Sequence, residues 1–143
     1  MERFDSEKAA RVWQRVRNEG GDNSALNGIA GLSAIEAELA ALFKRIGKQH
    51  SGAEALARDC HSNEAILRGI CGFAGLPRPQ PKFSGNVPKN VLQVCYSRTL
   101  QAAGEYEKRS SHPEYGCAFR AMAEKKREHA CRLLELAGSV QAK

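Results

Sequence analysis

The sequence predicts an all-α fold, a four-helix bundle of two antiparallel hairpins joined by a long crossover, with a short extra helix in front. Three observations carry that expectation. Apolar residues recur at alternating steps of three and four along most of the 143 residues, which is the period of a helix with one buried stripe. Turn-forming residues separate five such stretches. One segment, LPRPQPKFSGNVP at residues 76–88, holds four of the five prolines and follows neither a helical nor a strand period.

The elements follow in order. Asp5 or Ser6 can cap a helix over 5–19 whose apolar positions are Ala9, Val12, Trp13 and Val16, and Gly20 and Gly21 end it. Ser24 can cap the first bundle helix, about 25–47, with Ile29, Leu32, Glu36, Leu39, Phe43 and Ile46 on its stripe. The second, about 52–74, follows Ser51 and Gly52 and carries Leu56, Cys60, Asn63, Leu67, Ile70 and Ala74, with Gly75 and Pro77 closing it. A third, about 89–109, shows Leu92, Cys95, Thr99, Ala102 and Tyr106 as its most apolar seam. The fourth, about 113–137, opens at Pro113, carries Phe119, Met122, Lys126, His129, Leu133 and Leu136, and is expected to stop at Gly138.

Loop lengths then set the connectivity. The connections near Lys48–Gly52 and Ser110–Pro113 are short enough to force antiparallel neighbours. The Pro-rich segment reaches about 40 Å in polyproline geometry, more than the roughly 33 Å of a 22-residue helix. It can therefore run the length of a bundle over 76–88, a connectivity that belongs to ferritin-like folds more than to simple up-and-down ones.

Composition narrows the rest. A chain of 143 residues with 42% hydrophobic and 27% charged residues is the size and balance of one globular domain. No apolar run approaches the roughly 18 residues of a membrane span, and Met1–Asp5 lack the apolar region of a secretory signal, so a cytoplasmic location is expected. The five cysteines, Cys60, Cys71, Cys95, Cys117 and Cys131, are odd in number and lie within helical patterns, as reduced thiols do. No Cys-x-x-Cys pair occurs, which excludes an appended four-thiolate domain of the usual spacing. The net charge of +6 is spread among acidic residues apart from Lys125, Lys126 and Arg127, so a solvated helix face is expected there rather than a nucleic-acid partner.

Each bundle stripe is interrupted near its middle by a residue that a dry core would not choose. Glu36 interrupts the first, Cys60 and Asn63 the second, Thr99 the third, and Lys126 and His129 the fourth. Bundles build carboxylate-bridged metal sites at such a level, with a Glu from two helices and a Glu-x-x-His from each of the others. From Ile29 to Gly138 the chain resembles the rubrerythrin-related branch of the ferritin-like superfamily. Glu36 with Phe43 seven residues on resembles that family's first-helix Glu and aromatic partner, and ARDCHSNEAILRGI at 57–70 is similar to its second core helix. In that likeness Cys60 and Asn63 take the places of Glu and His. HPEYGCAFRAMAEKKREHACRLLELAG at 112–138 is similar to the last helix, with Lys126 at the Glu place and His129 retained. Thr99 or Glu105 would match the remaining Glu.

The resemblance implies peroxide or oxygen chemistry at two irons, yet a di-iron site needs several anionic oxygens and an ammonium repels a divalent cation. The expected protein is therefore a scaffold or binding domain that has lost the centre, with Lys126 pairing Glu36 and, as a further candidate, Glu105. The alternative is a metal-binding, rubrerythrin-type non-haem iron oxidoreductase with a remodelled site. Its metal candidates are Glu36, Cys60, Glu105 and His129, holding iron or zinc at low occupancy. Related bundles often pair, so a homodimer is one expected partner state, and Phe4 and Trp13 are candidate anchors for another protein. His50, His61 and His112 read as surface residues.

Overall fold

The computed structural model describes residues 26–81 and 85–141. The helix expected over 5–19, with Phe4 and Trp13, and the Ser24 cap lie outside them. The described residues form four helices: α1 (Ile29–Ile46), α2 (Ala53–Ala74), α3 (Val91–Lys108) and α4 (Gly116–Gln141). They pack chiefly as two pairs, α1 with α2 and α3 with α4, while α1 also meets α3 and α2 also meets α4.

The helix ends show why each element begins and stops where it does. Gly75 adopts a left-handed φ of 73°, which lets the Leu76 amide return to the Cys71 carbonyl at 2.8 Å and close the last turn of α2. At the start of α4 the His112 ring does the capping. Its Nδ1 accepts the amides of Glu114 at 3.1 Å and Tyr115 at 3.2 Å, and Pro113 sits where an amide hydrogen would have no partner. His112 is consequently buried and stacked on Tyr115, which corrects its reading as a surface residue. Another difference lies at the far end of α4, which continues through Gly138 to Gln141. Gly138 does not take positive φ, so it forms no left-handed cap, and glycine inside a helix weakens it without ending it.

The seams expected from periodicity are the buried faces. Among the described seam residues only Leu92 and Leu136, at the seam ends, are partly exposed. Their apolar members fall into two clusters. One gathers Ile29, Leu32, Leu67, Ile70, Ala102, Tyr106, Phe119 and Met122, and the other Leu39, Phe43, Ile46, Leu56, Cys60, Cys95 and Leu133. Buried polar side chains from α1, α2 and α4, Glu36, Asn63 and Lys126, lie along the chain between the two sets. The start of the Pro-rich segment covers one end, where Leu76, Pro77 and Pro79 line a cavity of about 200 Å³ with Leu26, Ile29 and Cys71.

Candidate functional site: one carboxylate shared by four helices

Glu36 is fully buried at the middle of α1, and each of the other three helices sends a side chain to it. Oε1 is ion-paired with the Lys126 ammonium from α4. Oε2 accepts from Asn63 Nδ2 of α2 at 3.0 Å and from the Tyr106 hydroxyl of α3 at 2.5 Å. A carboxylate taken from water into an apolar core is costly unless its lone pairs are occupied, and here a cation and two neutral donors occupy them. Lys126 is itself 0% exposed, so its ammonium does not reach back to solvent. It also donates to Cys60 Sγ at 3.3 Å, which places the ammonium between a carboxylate and a thiol.

The neighbouring polar groups respond to this environment. Burial pushes the Cys60 thiol up to about 12, a rise that Lys126 opposes and Glu36 reinforces. Burial and then Glu36 hold the Tyr106 hydroxyl well above its usual range, so it remains a donor. His129, 2% exposed and edge-on to the Phe43 ring, bonds through Nε2 to Asp59 Oδ2 at 3.0 Å. Its Nδ1 is buried with no hydrogen-bond partner among the described residues. Burial lowers its pKa below the ordinary 6.5, Lys126 adds to the lowering, and Asp59 and Glu36 oppose it. Asp59 is 40% exposed, so the Asp59–His129 pair leads from the interior to the surface.

The sequence candidates thus separate. Glu36, Asn63, Cys60 and Lys126 meet, whereas His129 turns to Asp59. Thr99 is buried on α3, its hydroxyl without a hydrogen-bond partner among the described residues, and Tyr106, seven residues further on, supplies the α3 contact to Glu36. Glu105 lies on the outer side of α3, where Arg109 at 2.9 Å and Lys108 at 3.2 Å hold its carboxyl below the usual range. The run Lys125, Lys126, Arg127 is also divided by helix geometry. Lys125 pairs with Glu128 and Arg127 with Glu107 at the surface, while the central lysine points inward. Two participants were missed. The helical period places Tyr106 on an apolar seam, while its buried hydroxyl needs an acceptor and finds Glu36. Asp59 lies off the seam and carries no periodic signal.

The donor set does not fit a di-iron centre. Both Glu36 oxygens are engaged, a cation fills the space beside Cys60, and His129 faces a carboxylate on the outside. Among the described residues no group of three or more His, Cys, Asp and Glu side chains is arranged to hold a metal ion. A scan against family models finds no match to the chain, and no curated protein or solved structure matches it.

Two measurements check this geometry. Lys126→Met should leave Glu36 buried without its counter-charge and cost about 3–5 kcal/mol in urea denaturation. Adding Glu36→Leu should recover much of that loss, giving a large coupling term, and a double variant no more stable than the single one would remove the pairing. For His129 the sign follows from its lowered pKa. Below about 6.5 the unfolded chain takes up a proton that the native His129 refuses, so stability should fall as pH drops through 6.5 and level off at the native value. His129→Gln should flatten that part of the stability profile, and an unchanged slope would show that another group sets it.

Proposed function

We propose that this chain is a ferritin-like bundle whose metal centre has been replaced by an internal ion pair, and that it works as a non-catalytic scaffold or binding domain. The single observation that carries the reading is Lys126, whose ammonium rests between Glu36 and Cys60 at the level where the resemblance would put a cation. The position keeps the electrostatic role of a metal ion, compensating a buried carboxylate, and lacks its Lewis acidity and its open coordination sites.

Contacts along the helices support the connectivity. The guanidinium of Arg109, just past the end of α3, lies against Gly28 at the start of α1, and Arg98 bonds Glu38 at 3.1 Å. Together these run α3 antiparallel to α1. The short Gly47–Gly52 connection makes α2 antiparallel to α1 as well, so α2 and α3 are parallel, as a crossover over 76–88 requires. Asp59 against His129 and Gly52 against Arg132 run α4 antiparallel to α2. A binding role draws support from Phe73, 78% exposed on α2, which lines a surface cavity of about 500 Å³ with Arg68, Gly69, Gly72 and Arg78.

Elemental analysis of protein purified without chelators separates this reading from a residual metal site built on Glu36, Cys60 and His129. Iron and zinc should be well below one equivalent per chain, and aerobic addition of ferrous ion should produce no di-iron absorption. Two tightly held irons per chain would overturn the substitution and require Lys126 to swing out of the core.

A further inference from the structure

The Cys60–Lys126 contact has no necessary part in the compensation of Glu36, yet it brings a thiol and an amine to 3.3 Å inside a sealed core. We infer that Cys60 and Lys126 form an oxidatively installed, oxygen-bridged covalent link, Sγ–O–Nζ, joining α2 to α4. The inference rests on the proposed function only in taking Lys126 to be the resident cation.

The surroundings restrict what an oxidised Cys60 can do. Cys60 is 0% exposed, so glutathione and other bulky thiols do not reach it, and among the described residues all the cysteines are free thiols. The nitrogen held beside it is Lys126 Nζ. A bridging oxygen spans most of the existing gap, whereas a direct S–N bond requires the two helices to close much further. Close-packed interiors resist such movement, so the geometry favours the oxygen bridge.

The oxidant is dioxygen, a small uncharged molecule that can enter an apolar core. In the balanced step one Cys60 thiol, one Lys126 ammonium and one O₂ give the Sγ–O–Nζ–H link, one water and one proton. The S–H bond, two N–H bonds and the O–O bond break, and one S–O, one N–O and the two O–H bonds of water form. Sulfur and nitrogen each lose two electrons, and dioxygen takes up all four. The released proton passes to Glu36, whose Oε1 already touches the ammonium. Loss of the lysine charge is then matched by loss of the carboxylate charge, so no unpaired ion is left in the interior.

The test holds the purified full-length protein in oxygen-saturated buffer until the exposed Cys117 and Cys131 no longer react with an alkylating agent. The protein is then denatured, alkylated, digested without reductant and analysed by mass spectrometry. A pair of peptides containing Cys60 and Lys126 should appear as one species, heavier than their sum by one oxygen and lighter by two hydrogens. It should vanish after treatment with dithiothreitol and be absent from Cys60→Ser. Protein carrying both Cys117→Ser and Cys131→Ser, exposed for the same time, should retain it. Recovery of Cys60 as an alkylated free thiol, or a link lacking the oxygen, would overturn the assignment. Neither result bears on metal content, so failure of this inference is distinguishable from failure of the functional reading.

Discussion

The Glu36 carboxylate is the constraint on which the arrangement of the bundle depends, because one side chain of α1 is satisfied only when α2, α3 and α4 all stand at the right height. Asn63, Tyr106 and Lys126 reach it from three directions. Apolar stripes tolerate sliding, since one leucine against another differs little from the next. A buried ion pair does not. Moving one helix by a turn would leave a charge or a hydroxyl without its partner, at several kcal/mol for the charge. The polar layer therefore specifies register more than it adds stability, and the two apolar clusters above and below it supply the burial.

Much of this was legible in the sequence, for physical reasons that differ from residue to residue. The stripes were readable because the helical period is long and regular. Their interruptions at Glu36, Asn63, Cys60 and Lys126 were readable because a core position occupied by a polar residue demands explanation. Partners off the stripe were not. Asp59 meets His129 from a half-exposed position, and only three-dimensional neighbourhood reveals it. Tyr106 carried the opposite difficulty, since its ring fits the apolar pattern and conceals its hydroxyl. His112 shows the limit of reading helix starts, where a ring nitrogen did the work expected of Ser, Thr, Asp or Asn. Gly138 shows the limit of reading stops, because glycine ends a helix through its φ and not through its identity.

The same interior sets Cys60 and Lys126 apart from the exposed thiols and amines of the bundle. Cys117 and Cys131 are exposed on α4, where ordinary solution chemistry reaches them. Cys60 has burial raising its pKa and an ammonium opposing that rise, so its chemistry is governed by what is packed beside it. Lys126 in turn is shut off from the surface and takes its counter-charge from Glu36. Each group is held in place by the need to satisfy the others.

The claim that Lys126 occupies the place of a metal ion is tested most directly by returning a carboxylate to that position. Lys126→Glu would set two carboxylates side by side in the core, an arrangement that a divalent cation relieves. Thermal unfolding of this variant and of the parent chain should be compared with and without added zinc or ferrous ion. If Lys126 stands in for the ion, the variant should be markedly destabilised alone and stabilised by the metal, while the parent chain should not respond. A variant indifferent to metal, or a parent chain stabilised as much as the variant, would contradict it.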